Sequence, residues 1–392
     1  MTNVSIYKDI AARTGGDIYI GIVGPVRTGK STFIKQFMDK LVLPNISGDY
    51  QKERANDELP QSSSGRTIMT TEPKFIPEKG VQIKVDDSSA MNVRLIDCVG
   101  YIVPSALGYI EGDQPRMVMT PWFEEPIPFN MAAEIGTRKV INEHSTIGLV
   151  ITTDGSISDI PRSEYEEAEE RVIDELKAIN KPFIILLNCM YPESPEAQEL
   201  AQRLTEKYGI PVQPVNCLEL NEEDIKQILS RILFEFPIKE ICINFPRWIN
   251  SLPLDHWLRA ELTDTIKKSA ANVRHIRDIK CFETAFANSQ NADGAAVNGI
   301  DLGTGSADVM IKINNTLFYR VLAESTGLKI NDEQELMDSI KELAKIKKEY
   351  SRVKGALDEV EATGYGIIMP EIEDLKLEEP EIMKQGGRYG VR

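Results

Sequence analysis

Cysteine and histidine are scarce in this chain and widely scattered. The five cysteines (Cys98, Cys189, Cys217, Cys242 and Cys281) include no C-x-x-C pair, and the three histidines (His144, His256 and His275) stand equally far apart. Such spacing argues against a disulfide framework and against a zinc site, and favours reduced thiols in a cytoplasmic protein. Basic residues are also in deficit: 45 Lys and Arg face 61 Asp and Glu, for a net charge of −16. Phosphate backbones are held mainly by clustered cations, so the composition disfavours a nucleic-acid partner, and direct docking on an anionic membrane with it. No apolar run approaches the span of a bilayer, and residues 1–13 lack the apolar core of a signal peptide. The expectation is a soluble, non-exported protein with no membrane insertion of its own. Low-complexity segments and internal repeats are also missing.

What is present is enough chain for more than one core. At 392 residues, two or three domains are expected. The first two-thirds alternates strand-like and helix-like segments. Strand patterns fall at 18–23, 74–76 with 81–85, 92–97, 147–153, 182–188 and 212–217. The runs at 147–152 and 182–188 are continuously apolar, as in strands covered on both faces. Residues 162–179 and 222–235 show helical spacing with acidic outer faces. The order predicts a doubly wound α/β sheet with crossover helices and one antiparallel edge hairpin turning at 86–89. The character changes around Phe236 and Pro237, which predicts domains at 1–237 and 238–392. The second is read as α+β with long helical patterns at 256–282 and 336–360 and a strand near 307–313. In the latter pattern Leu336, Ile340, Leu343, Ile346, Tyr350, Val353, Leu357 and Val360 step by three and four. Packing within the domain is the expected use of that face, with a helix pair or partner surface as the alternative.

Residues 24–31 read Gly24-Pro25-Val26-Arg27-Thr28-Gly29-Lys30-Ser31, a complete G-x-x-x-x-G-K-[ST] phosphate loop. It follows the apolar strand at 18–23 and runs into a helical pattern at 32–41. Strand, glycine-rich turn and helix start aim several backbone N–H groups at one point, where the helix dipole adds positive potential. Lys30 can then reach β- and γ-phosphates, and the Ser31 hydroxyl can ligate Mg2+. Asp97-Cys98-Val99-Gly100 closes a later strand; Asp97 there can hold Mg2+ through water, and the Gly100 amide can meet the γ-phosphate. Thr70 and Thr71, with Thr67 as a weaker candidate, precede the edge strand, where a loop threonine can close over Mg2+ and the γ-phosphate. The catalytic set read from the sequence is therefore Lys30, Thr70, Thr71 and Asp97, and the metal set is Ser31, Asp97 and Thr70.

This order resembles the translation-factor-like class of phosphate-loop GTPases, with two departures. Guanine readers carry N-K-x-D after the next-to-last strand, and here that place reads Asn188-Cys189-Met190-Tyr191. Tyrosine cannot accept the paired hydrogen bonds of guanine, so ATP is the expected nucleotide. Tyr101 follows Gly100 where many such enzymes place a water-orienting Gln, so hydrolysis is expected to be slow. Arg27, Arg54 and Arg66 are candidate charge stabilisers. The stretch 101–146 is unusually long for a connection and carries Tyr101, Tyr109, Trp122, Phe123 and Phe129. It is read as a loop that couples nucleotide state to subunit contacts, or as a lid on its own domain.

The phosphate loop, the stretches 57–61, 67–75, 120–129, 134–140 and 143–148, and Gly364-Tyr365-Gly366 with Pro380-Glu381-Ile382 also resemble one narrower family, the stage IV sporulation protein A ATPases of endospore formers. The resemblance spans essentially the whole chain. It implies an ATP-hydrolysing scaffold that self-assembles into a static polymer, the basement layer of the spore coat, in the mother-cell cytoplasm at the outer forespore membrane surface. As partners it implies further copies of itself, a small amphipathic membrane-anchoring peptide and a LysM-containing coat protein. It places those last contacts in a C-terminal domain beyond the position of Arg392. A GTPase switch acting on another macromolecule, and a nonenzymatic structural protein with a relic site, are the competing readings.

Overall fold

Apolar β-branched residues on consecutive positions build a sheet buried on both faces. The computed structural model describes residues 5–46, 48–60, 73–84, 90–106, 109–111, 114–120, 123–287, 289–368, 382–386 and 388–391. Helix α1 (Ser5–Thr14) leads into strand β1 (Asp17–Val23), and the phosphate loop follows before helix α2 (Lys30–Phe37). Strands β2 (Lys74–Lys84) and β3 (Ala90–Asp97) come next, then helix α3 (Phe129–Lys139) and strand β4 (Ile147–Thr153). Helix α4 (Glu166–Ile179), strand β5 (Phe183–Asn188), helix α5 (Pro195–Tyr208), strand β6 (Val212–Val215) and helix α6 (Glu222–Phe234) complete the alternation. The sheet order is β6-β5-β4-β1-β3-β2, parallel throughout except for the antiparallel β2–β3 edge. This is the doubly wound α/β architecture expected from the sequence, and the edge hairpin is where the pattern placed it. Its turn at 86–89 lies outside the described residues.

Every residue of β4 and β5 is buried. Burying each Val, Leu or Ile side chain contributes roughly 1.5–3 kcal/mol, so these central strands anchor the unit. One apolar layer packs Ile20, Ile22, Phe33 and Ile34 with Ile228 and Ile232; the other joins Val150 and Ile185 to Val172, Ile173 and Leu176 of α4.

Three readings of the sequence need correction. The stretch 101–146 is not one long loop: Met117–Thr120 pairs with Phe123–Pro128, and α3 follows. Phe129, Ala132, Ala133, Gly136 and Thr137 are the buried face of α3, a helical spacing masked by the prolines upstream. The pattern at 256–282 is interrupted. Helix α7 (Trp257–Ala270) ends before a short 3-10 turn, and helix α8 (Cys281–Ala287) resumes. The Asp278 carboxylate accepts from the backbone N–H of Arg274 and of His275, at 3.1 and 2.8 Å, and this capping starts a new turn where a continuous helix would run. Helix α5 is absent from the pattern read above, although Ser194 caps it, Pro195 opens it and Gly209 closes it in the left-handed region.

The chain divides into two compact units, Met1–Lys312 and Ile313–Arg392. The first also holds a small sheet of strand β7 (Glu240–Asn244), strand β8 (Gly294–Asp301) and strand β9 (Ser306–Lys312), ordered β7-β9-β8. Arg13 ties this sheet to α1: its guanidinium donates to the carbonyls of Pro237 and Thr304 and lies over the Phe236 ring, 5.0 Å from the centroid. The second unit contains helix α9 (Asn315–Thr326) and helix α10 (Glu333–Thr363).

Candidate nucleotide site

The loop between β1 and α2 is held by glycines where a side chain would not fit. Gly24 has φ 139°, and a Cβ there would lie 2.2 Å from the Ile151 carbonyl oxygen. Gly29 has φ 91°, and its Cβ would meet Asn188 Nδ2 at 2.2 Å. Between them Arg27 takes a left-handed φ of 64°, rare for a residue with a side chain. Left-handed residues at Arg27 and Gly29 are the kind of backbone turn that aims N–H groups to one side, as in an anion-binding nest. Inside the loop, the Thr28 hydroxyl donates to Pro25 O at 3.0 Å. Outside it, Val26 N donates to Tyr101 O at 2.8 Å, and Tyr101 N donates to Gly24 O at 3.1 Å. The segment after Asp97 is therefore bonded directly to the loop.

Lys30 is buried, and its ammonium donates to Pro25 O at 2.6 Å and Gly24 O at 3.4 Å. Burial pushes its pKa down to about 8, against the opposing pull of Asp97 and Cys98. Gly100 is what lets the strand end approach: a Cβ there would sit 2.5 Å from Lys30 Nζ and 2.7 Å from Gly24 O. Ser31 Oγ donates to Asp97 Oδ2 at 3.0 Å. Burial raises the Asp97 carboxyl, while the Lys30 charge and the Ser31 hydrogen bond pull it back down.

The structure thus gathers Lys30, Ser31, Asp97 and Gly100 around the loop formed by Gly24, Pro25, Val26, Arg27, Thr28 and Gly29. Thr67, Thr70, Thr71 and Arg66 lie outside the described residues. Hydroxyl and carboxylate oxygens are the hard donors Mg2+ takes, and Ser31 and Asp97 are close enough to share one ion when phosphate oxygens and water complete its shell. Among the described residues no group of three or more His, Cys, Asp or Glu side chains is placed to hold a metal alone. The donor set fits an ion that arrives with a phosphate; bound there, it would neutralise charge between phosphate oxygens.

Tyr101 does not face the loop. It is buried with its hydroxyl donating to Glu175 Oε2 at 2.5 Å, and Arg138 holds the same carboxylate at 3.1 Å. Arg54 is engaged at the surface with Glu58 and Glu78, at 3.0 and 3.2 Å. Arg27 Nε is buried with no hydrogen-bond partner among the described residues.

One residue has more to do than its motif position announced. Asn188 is buried, its amide donates to Thr28 O at 3.0 Å, and its Oδ1 accepts from Cys217 N at 3.0 Å. It ties the phosphate loop to the ends of β5 and β6. Beside it, Ser156 Oγ accepts from Met190 N at 2.9 Å, and Asn216 Nδ2 donates to Met190 O at 3.3 Å. Met190, Tyr191 and Leu218 stay exposed at this edge. The only sequence signal was the retained Asn at the head of a degenerate base-reading motif.

Residues 1–237 match the family described as Stage IV sporulation protein A, ATPase domain, and residues 238–392 match Stage IV sporulation protein A, middle domain. Stage IV sporulation protein A of Clostridioides difficile (strain 630) is 49% identical over 390 residues, covering 100% of this chain and 79% of that protein. The Bacillus subtilis (strain 168) protein of the same name is 50% identical over 392 residues, covering 100% of this chain and 80% of its own. Among solved structures, the FeoB G-domain from Methanococcus jannaschii overlaps 55% of this chain and 97% of its own at 13% identity, with a TM-score of 0.27. A score that low carries no weight. The full-length identities and the two domain matches do: this chain belongs to the stage IV sporulation protein A family, with a phosphate-loop ATPase domain at its head.

Proposed function

We propose that this chain binds Mg2+ and ATP at the phosphate loop, hydrolyses ATP slowly, and uses the cycle to self-assemble as the basement layer of the spore coat. The observation that supports it most is the joint placement of Lys30, Ser31, Asp97 and Gly100 on the loop. In this reading Lys30 contacts the β- and γ-phosphates, Ser31 and Asp97 hold Mg2+, and Thr70 or Thr71 reaches the γ-phosphate. Loss of that phosphate releases the Gly100 contact, and the backbone bonds of Tyr101 to Gly24 and Val26 pass the change into the hairpin and α3. Tyr101, which stands directly after Gly100 where many such enzymes carry a water-orienting Gln, is turned away from the loop, and this supports a slow rate.

Adenine is preferred because the position that reads guanine N1 and N2 holds Tyr191, which offers an exposed ring and no carboxylate. The chain acts in the mother-cell cytoplasm at the outer forespore membrane surface. No described helix is long and apolar enough to cross a membrane, so attachment is assigned to a small amphipathic peptide, with a LysM-containing coat protein as a further partner. Turnover of ATP and of GTP by the wild type and by Lys30→Ala tests the reading. ATP should be turned over faster than GTP, and the variant should lose at least about a hundredfold, as expected when a transition-state charge contact is removed. Equal turnover by Lys30→Ala would reject the site.

A further inference from the structure

Helix α10 runs for 31 residues, about 46 Å at 1.5 Å per residue, between sharp ends. Asp332 caps it by accepting from Glu335 N at 2.8 Å, and Gly364 closes it with φ 80°. None of its residues is buried. The apolar stripe expected to pack inside the domain is instead open: Leu343 is 48% exposed, Ile346 52%, Tyr350 52% and Leu357 48%. A helix whose apolar stripe is left exposed among the described residues lacks the packing that ordinarily stabilises it.

The stripe is a heptad seam. Leu336, Leu343, Tyr350 and Leu357 recur every seven residues at a positions and Ile346, Val353 and Val360 at d positions; the first d place holds Ser339, with Ile340 beside it at e. The flanks decide what fits against it. Glu342 and Glu349 fall at g, and Lys347 and Lys354 at e. In a parallel, in-register pair, g of one helix faces the following e of the other, so Glu342 meets Lys347 and Glu349 meets Lys354, each twice by symmetry. An antiparallel pair would set g against g and e against e, placing Glu opposite Glu and Lys opposite Lys. A lipid surface fits less well, since the seam is narrow and the helix carries both signs of charge along its length. After the helix, Gly366 lies so near the Ala356 carbonyl that a Cβ would be 2.1 Å from it, which touches only the last turns.

We propose that α10 forms a parallel, in-register coiled coil with the same helix of further copies of this chain. The complementarity of Glu342 and Glu349 to Lys347 and Lys354 selects a second copy over other occupants. Leu at a with Ile or Val at d is the core that leans towards more than two strands. The contact goes beyond the nucleotide reading and needs no nucleotide.

The test uses the full chain without nucleotide, in the Lys30→Ala background as well as the wild type, so that failure of the phosphate site leaves the result readable. Two charge variants are compared by sedimentation: Lys347→Glu with Lys354→Glu, and Glu342→Lys with Glu349→Lys. Each alone should associate about tenfold or more weakly than the parent, because every flanking pair becomes repulsive; mixed in equal amounts, they should associate again. Orientation is read by Ser339→Cys with the exposed Cys242 changed to Ser: only a parallel pair brings the two introduced thiols within disulfide reach. A parent that sediments as an oligomer of two to four copies, with that cross-link, supports the proposal. A monomeric parent at tens of micromolar, charge variants that sediment like the parent, or absence of the cross-link would overturn it.

Discussion

At the scale of single residues, Lys30 carries the clearest physical signature. Its ammonium is buried against backbone carbonyls, and its pKa falls from 10.5 to about 8. Between those values the unfolded chain holds a proton that the folded chain does not, so the stability of the nucleotide-free protein rises with pH across that window. Below pH 8 the buried charge costs on the order of 3 kcal/mol, a strain that a bound phosphate would relieve. Phosphate beside Lys30 restores its proton, so binding of Mg-ATP should take up a proton above pH 8 and weaken by up to about tenfold per pH unit there. Calorimetric titration between pH 7 and 9.5 in buffers of different ionisation enthalpy reads both effects. An affinity flat across that range would mean that Lys30 does not meet the phosphate.

The letters of the phosphate loop were legible in the sequence because each of them serves local geometry: Gly24 and Gly29 for turns no other residue makes, Lys30 and Ser31 for the helix start. Asp97 and Gly100 were legible because a strand end is where such a pair must fall. Asn188 was not. Its contact with Thr28 joins residues 160 apart in the chain, and only the pairing of β4 between β1 and β5 brings them together. The buried pair of Glu169 with Arg162, sharing Thr152 and Tyr208, escaped for the same reason: on the helical pattern Glu169 belongs to an acidic, solvated face.

At the scale of elements, period separated strands from helices reliably where a segment was long and uniformly patterned, as in β4, β5, α4 and α6. It failed where two signals overlapped. The prolines at 121, 126 and 128 hid the start of α3, and the capping carboxylate of Asp278 broke a run whose apolar spacing alone reads as one helix. The strand pair before α3 bears on the proposed assembly. Met117 and Met119 are 54% and 57% exposed, Phe123 40%, and Met131 at the start of α3 46%. Together these side chains are exposed apolar groups on the strand pair and the start of α3. Phe123→Ala with Met119→Ala should leave ATP affinity within about twofold of wild type and slow polymer formation severalfold, as loss of an anchoring side chain does at an interface. Sedimentation after ATP addition measures it; unchanged assembly would return this hairpin to a lid on its own domain.

At the scale of the molecule, one unit carries the phosphate loop and the other a long exposed helix, and the proposed reading divides the labour between them: phosphate sensing in the first, contact with further copies in the second. The sequence signalled the first through a motif and the second only through periodicity, which cannot say whether an apolar face is covered by its own domain or by a neighbour. In the fold no residue of α10 is buried, which is the observation the proposed contact between copies rests on. The claim on which the rest depends is that Lys30, Ser31 and Asp97 together hold a magnesium-bound adenosine triphosphate. Direct binding of ATP by purified protein, with and without Mg2+ and alongside Lys30→Ala, tests it most directly. Binding should saturate below millimolar ATP, be tighter with Mg2+ and be lost in the variant. Failure to retain ATP with Mg2+ at millimolar concentration, or equal retention by Lys30→Ala, would contradict it.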